Sequence, residues 1–232
     1  MQHYWLNHEK NDELILFFTG WGFDENPFKH LDCGNYDVLM FYDYHGSELA
    51  TTLELATMLP ESFDLQYKKT HLIAWSMGVF IARHLKVNGK KVAINGTTLP
   101  MHNEFGIPVK IFELTMKHAA AGLQGKFYKN VFGADYERYL QTPVMRSVEN
   151  RVAELESLHQ LIHGASTNCT FPYCDLCDAP RDTKCYDVAF IGTGDKIIPP
   201  KNQLAFWGEK ANLLETGHFP FYREQRIYQW IE

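Results

Sequence analysis

Ser76 stands in His71-Leu72-Ile73-Ala74-Trp75-Ser76-Met77-Gly78, where an apolar run gives way to a helical pattern. A serine at such a junction is suited to be the nucleophile of acyl transfer, because a sharp strand-to-helix turn holds its hydroxyl clear of both backbones. The turn is strained and crowded, so small residues belong two positions to either side. Ala74 and Gly78 meet that need, with alanine departing by one methyl from the usual G-x-S-x-G. A serine that simply N-caps a helix after a core strand fits the same residues. The motif therefore has to be weighed with its potential partners.

A serine hydroxyl needs a base beside it and a carboxylate to hold that base. In the α/β-hydrolase arrangement these follow in the order Ser, Asp or Glu, His. Asp195 lies in Gly192-Thr193-Gly194-Asp195-Lys196 after one apolar run, and His218 in Thr216-Gly217-His218-Phe219-Pro220 after the last. Both are expected in loops at the carboxyl ends of strands, where open parallel sheets bind ligands. Taken singly, an aspartate beside glycine is an ordinary turn former, and His218 is one of 11 histidines. Their shared order joins them to Ser76. Asp175, Asp178, Asp182 and Asp187 precede their strand and are set aside. A tetrahedral intermediate also needs two N–H donors. Met77, directly after the nucleophile, is expected to supply one, and Gly20-Trp21-Gly22 the other. Its glycines let backbone approach substrate, and Trp21 brings the N–H and an apolar wall. A buried core tryptophan flanked by turn residues is the plainer reading of Trp21.

Short, largely apolar runs at residues 14–18, 36–42, 71–75, 92–96 and 187–192, with a last one at 211–214, read as buried strands. Helical spacing at Leu49, Leu53, Ala56 and Leu59 up to Pro60, at Val79, Ile81, Ala82 and Leu85, and around 202–207 places helices between them. This alternation predicts an α/β fold with a mostly parallel sheet flanked by helices. It stops between 103 and 165, where helical patterning takes over. That segment is expected to be a helical lid inserted into a core of residues 1–102 and 166–232. Large apolar groups at Met116, Leu123, Phe127, Phe132, Tyr136 and Tyr139 suggest short helices. Thr142-Pro143 reads as the N-cap and first turn of a longer helix whose stripe is Val144, Val148, Val152, Leu155, Leu158 and Ile162.

A chain of 232 residues with 45% hydrophobic and 22% charged residues suits one soluble domain with an insertion. No apolar run approaches the ~20 residues of a membrane span. The start, Met1-Gln2-His3-Tyr4-Trp5-Leu6, has neither the basic nor the apolar region of a secretory signal, so a cytoplasmic location is expected. A net charge of −6 argues against nucleic-acid binding. Five cysteines, an odd number, suit reduced thiols. Cys169, Cys174, Cys177 and Cys185 have the spacing C-x4-C-x2-C-x7-C. Its first three match the opening of a plant-type iron–sulfur pattern but the fourth comes too early. Zinc would take four thiolates, though paired C-x2-C knuckles are missing. Free loop thiols are the expected reading, with no metal.

Residues 14–22, the Ala-Trp-Ser-Met-Gly elbow at 74–78, Ala93-Ile94-Asn95-Gly96-Thr97, Phe105-Gly106-Ile107-Pro108 and Asp195-Lys196-Ile197-Ile198-Pro199 occur in order over nearly the whole chain. In this combination the chain resembles the BioG-type pimeloyl-[acyl-carrier protein] methyl ester esterases of the α/β-hydrolase superfamily. The resemblance implies a serine esterase that hydrolyses the methyl ester of pimeloyl-acyl carrier protein in biotin biosynthesis. Ser76, Asp195 and His218 would be the triad and Trp21 with Met77 the oxyanion donors, with no cofactor. Alanine at 74 is ordinary for that family. The implied partner is an acidic carrier protein. Between 110 and 151 the basic residues Lys110, Lys117, Lys126, Lys129, Arg138, Arg146 and Arg151 outnumber Glu113, Asp135, Glu137 and Glu149. Arg138, Arg146 and Arg151 are the expected docking residues. A general short-chain carboxylesterase or thioesterase on the same fold, and a binding protein that kept only the scaffold, are the competing readings.

Overall fold

Near-continuous apolar runs form strands when both faces of a parallel sheet are covered, and the most apolar runs here do so. A computed structural model describes residues 1–45, 67–165 and 182–232. Its strands are β1 (Gln2–Asn7), β2 (Glu13–Phe18), β3 (Tyr36–Tyr42), β4 (Lys69–Trp75), β5 (Lys91–Ile94), β6 (Val188–Gly192) and β7 (Ala211–Leu214). They form one sheet in the order β1-β3-β2-β4-β5-β6-β7. Only the β1–β3 pair is antiparallel. Leu14 to Phe18, Leu72 to Trp75 and Val92 to Ile94 are almost wholly excluded from solvent.

The helices are α1 (Met77–Ile81), α2 (Val109–Lys117), α3 (Ala119–Leu123), α4 (Lys126–Phe132), α5 (Tyr136–Tyr139), α6 (Val148–Ala165) and α7 (Pro200–Trp207). Helix α1 packs on β2 and β4, α7 on β6 and β7, and α6 on α2 and α3. The chain thus has an α/β-hydrolase fold, with five α-helices in succession among the described residues between β5 and β6. No helix among the described residues is long and apolar enough to cross a membrane.

Strand order explains where a site belongs. The chain leaves β2 for β3 on one side and returns to β4 on the other, so β2 and β4 flank a topological switch point. Phe18 pairs with Ala74, so the two strands end level. The loop after β2 and the turn after β4 therefore meet at one crevice.

Three expectations need correction. Strand β1 was not expected; it is a half-exposed edge with polar residues, and it lacks the continuous apolar signal. Helix α1 ends at Ile81, so Ala82 and Leu85 lie beyond it. Helix α6 begins at Val148 and not at Thr142. The N–H of Val144 donates to Tyr139 Oη, and those of Met145 and Arg146 donate to Asp24 Oδ2. With those donors taken, the helix starts after Ser147, whose Oγ accepts the Asn150 N–H as an N-cap does. The helix expected from Leu49 to Leu59 lies outside the described residues.

Candidate active site

The turn after β4 is strained. Ser76 has φ 55° and ψ −121°, a backbone conformation rare for a residue with a side chain. It is held from both ends: the Ser76 N–H donates to Ile94 O on β5, and its carbonyl accepts the Val79 N–H. A Cβ at Gly78 would lie 2.4 Å from Phe18 O, and one at Gly96 would lie 2.4 Å from Ser76 O. Glycine at 78 and 96 is therefore required by packing as well as by the motif. Ala74 is fully buried and sits between Phe18 of β2 and Ala93 of β5.

The structure brings Ser76, His218 and Asp195 together. Ser76 Oγ lies 2.9 Å from His218 Nε2, and His218 Nδ1 lies 2.8 Å from Asp195 Oδ2. With its proton on Nδ1, the imidazole donates to Asp195 and accepts from Ser76, the state a general base requires. All three side chains are buried. Asp195 Oδ1 accepts the N–H groups of Ile197 and Ile198, and Oδ2 also accepts Gln203 Nε2 from α7. The His218 carbonyl accepts Trp75 Nε1 at 2.7 Å and Asn95 Nδ2 at 2.9 Å. Asn95, at φ 45°, also donates to Gly217 O and accepts the Gly192 N–H. It thus ties the ends of β5, β6 and β7 together at the histidine.

Gln203 and Asn95 were missed by sequence reasoning. Asn95 carried a usable signal, an asparagine ending an apolar strand beside glycine, a pairing that favours positive φ. Gln203 had none, because nothing in the sequence marks which face of α7 turns back toward Asp195.

The loop after β2 lies against the serine. A Cβ at Gly20 would be 3.0 Å from Ser76 Cβ and 3.3 Å from its Oγ. Among the described residues, neither the Trp21 nor the Met77 backbone N–H has an acceptor. The Trp21 side chain is anchored apart from the sheet, with Nε1 donating to Arg151 O at 2.7 Å and its ring 4.7 Å from that of Phe127.

Trp21, Ser76, Met77 and His218 open on a cavity of about 450 Å3 walled by α2, α3 and α4. That is within the roughly 300–1,000 Å3 of small-ligand sites. The walls are chiefly apolar, with Phe23, Phe112, Leu123, Phe127 and Leu155 prominent. Lys126 and Lys196 are the charged side chains on its lining.

Two of the arginines expected at a docking surface are internal. Arg151 is 7% exposed and donates to Tyr128 Oη and Ser147 O. The Arg146 side chain is 9% exposed and pairs with Glu154 and Asp43. Neither can be a docking cation, since charge counting does not reveal which face a side chain takes. Arg138 is half-buried, donating to Tyr222 O with its guanidinium over the Tyr222 ring. Lys110, Lys117, Lys126 and Lys129 are exposed.

Cys33 and Cys185 are free thiols. Burial, with Asp182 adding to it, pushes the Cys185 thiol up to about 11. Cys169, Cys174 and Cys177 lie outside the described residues. Among the described residues no three His, Cys, Asp or Glu side chains are grouped to hold a metal. Of the acids set aside, Asp182 accepts the Lys184 N–H and Asp187 the Lys91 N–H, both away from His218.

Sheet order, the strained turn and the crevice at the switch point define the class as the α/β-hydrolases. Within it the chain belongs to the BioG family: the family model described as pimeloyl-ACP methyl esterase BioG matches residues 1–230. The crystal structure of BioG from Haemophilus influenzae superposes with a TM-score of 0.78 at 28% identity, covering 100% of both chains. An uncharacterised protein of Haemophilus influenzae is 31% identical over 224 residues, 92% of each chain. A malonyl-[acyl-carrier protein] O-methyltransferase of Bacteroides fragilis is 31% identical over 220 residues, 92% of this chain but 40% of that protein. The chain thus spans about two fifths of that relative. A lipase-esterase related protein from Clostridium acetobutylicum shares the fold, at a TM-score of 0.63 and 18% identity.

Proposed function

We propose that this chain is a serine esterase that hydrolyses the methyl ester of pimeloyl-acyl carrier protein in biotin synthesis. The observation that carries the reading is a serine at φ 55° with Oγ 2.9 Å from an Asp-held imidazole, at the floor of an apolar cavity, in a chain of the BioG family.

Ser76 Oγ attacks the ester carbonyl carbon while its proton passes to His218 Nε2. The N–H groups of Trp21 and Met77 receive the negative oxygen, and Asp195 accepts Nδ1–H of the imidazolium. The carbon–methoxy bond then breaks, the methoxy oxygen takes the proton from Nε2, and methanol departs. Water attacks the acyl-serine with His218 again as base, releasing the free acid and restoring the Ser76 hydroxyl. Every step uses side-chain and backbone groups alone, so no cofactor enters.

Residues 103–165 act as the lid over a core formed by 1–102 and 166–232. The apolar walls from α2, α3 and α4 suit a methylene chain, which loses water contact on entry. Exposed lysines of the same segment suit an acidic carrier outside the mouth. Mass spectrometry of carrier-bound pimeloyl methyl ester incubated with the protein should show conversion to the free acid. An intact ester after prolonged incubation with folded protein would refute the proposal.

A further inference from the structure

Resting on the esterase reading, we propose that Glu154 is a positioning residue for the reaction: its buried carboxylate sets the loop that presents the Trp21 N–H. The oxyanion site is then completed by the helical segment and not by the sheet alone.

Glu154 lies on α6 and is 0% exposed. Its Oε2 accepts the Gly22 N–H at 3.1 Å and Arg146 Nη1 at 2.8 Å, and its Oε1 accepts the Tyr44 N–H at 3.0 Å. Gly22 follows β2 and Tyr44 follows β3, so one carboxylate joins the loops at the ends of neighbouring strands. Gly22 has φ +79°, a conformation with little inherent preference to hold the turn in place. The surrounding holds come from the same segment: Tyr128 Oη donates to Gly22 O, Arg146 Nη1 to Phe23 O, and the Met145 N–H to Asp24 Oδ2. Residues 21–24 thus find their partners among 128–154, and Trp21 keeps its own N–H free of any acceptor among the described residues.

The chemistry of the clamp calls for a carboxylate. Burial raises the Glu154 carboxyl above its ordinary range, against the pull of Arg146 and the Tyr44 and Gly22 N–H groups. Yet every group its oxygens meet is a donor, which suits an ionised acceptor. A glutamine keeps one acceptor oxygen and turns an NH2 toward a donor at the other position. It therefore leaves one of the two N–H groups opposed, and the loop shifts.

The test is Glu154→Gln assayed on p-nitrophenyl butyrate and on the carrier-bound methyl ester, with rates expressed per Ser76 labelled by a fluorophosphonate. A trifluoromethyl ketone serves as a tetrahedral-intermediate mimic. We expect kcat per labelled serine to fall on the order of 10- to 100-fold, KM to change little, and the ketone to bind weaker by a matching factor. A purely structural role would lower the labelled fraction and leave the rate per labelled serine unchanged. That outcome, or ketone affinity within about twofold of wild type, overturns the proposal. If Glu154→Gln does not fold, Glu154→Asp, which keeps the charge but withdraws both oxygens by one methylene, is read by the same criteria. Wild-type cleavage of the p-nitrophenyl ester without cleavage of the carrier ester would remove the pimeloyl assignment and still leave Glu154 testable.

Discussion

Each Asp195 oxygen takes two donors: the Ile197 and Ile198 N–H groups meet Oδ1, and the His218 ring and Gln203 meet Oδ2. Asparagine in its place would turn an NH2 toward one of these pairs and favour the wrong imidazole tautomer. Asp195→Asn should therefore lower kcat roughly 10^3- to 10^4-fold while KM changes little; steady-state kinetics on p-nitrophenyl butyrate would check it. Ser76, Asp195 and His218 were legible because the order of chemistry-bearing residues after apolar runs survives in one dimension. Their supports were not. Gln203 is near Asp195 in the chain but nothing local marks the face of α7 it takes, Glu154 acts across more than a hundred residues, and Arg146 and Arg151 face inward for reasons that only packing reveals.

At the scale of elements, Asp37 at the start of β3 gathers the turn between β1 and β2. Its Oδ1 accepts from the Glu9 N–H, the Asn11 N–H and Asn11 Nδ2, and its Oδ2 from Tyr67 Oη just ahead of β4. Burial works to raise this carboxyl, but the donors outweigh it and hold it below the ordinary 3.8. A depressed carboxyl stabilises the fold above its unfolded value and loses that contribution as pH falls through the folded one. The stability gap between wild type and Asp37→Asn should therefore be constant from neutral pH to about pH 5 and shrink below the ordinary aspartate value. Urea denaturation across that range would measure it, and a constant gap down to pH 2 would contradict it. Six of the strands, β2 to β7, lie on the short apolar runs that the sequence pattern picks out. Edge strand β1 escapes it because its first three residues are exposed and its last three only half-buried, so it carries no continuous apolar run. The start of α6 was displaced by tertiary bonds from Tyr139 and Asp24, which outweigh the capping preference of Thr142-Pro143.

For the whole molecule, the helical segment both walls the cavity and carries the exposed lysines. If it receives an acidic carrier, charge reversal at Lys110 and Lys117 on α2 should reduce kcat/KM for the carrier-bound ester roughly tenfold. Turnover of p-nitrophenyl butyrate should stay the same. The deficit should narrow as salt is raised, because exposed charges are screened over about a Debye length. Equal losses on both substrates would assign those lysines to the fold and not to docking.

The most direct test is release of methanol from pimeloyl-acyl carrier protein methyl ester, with glutaryl and sebacyl methyl esters on the same carrier as competitors and Ser76→Ala as control. Preferential cleavage of the pimeloyl ester that disappears with Ser76→Ala is the predicted result. Cleavage that persists without the Ser76 hydroxyl, or no methanol from any of the three, would contradict it.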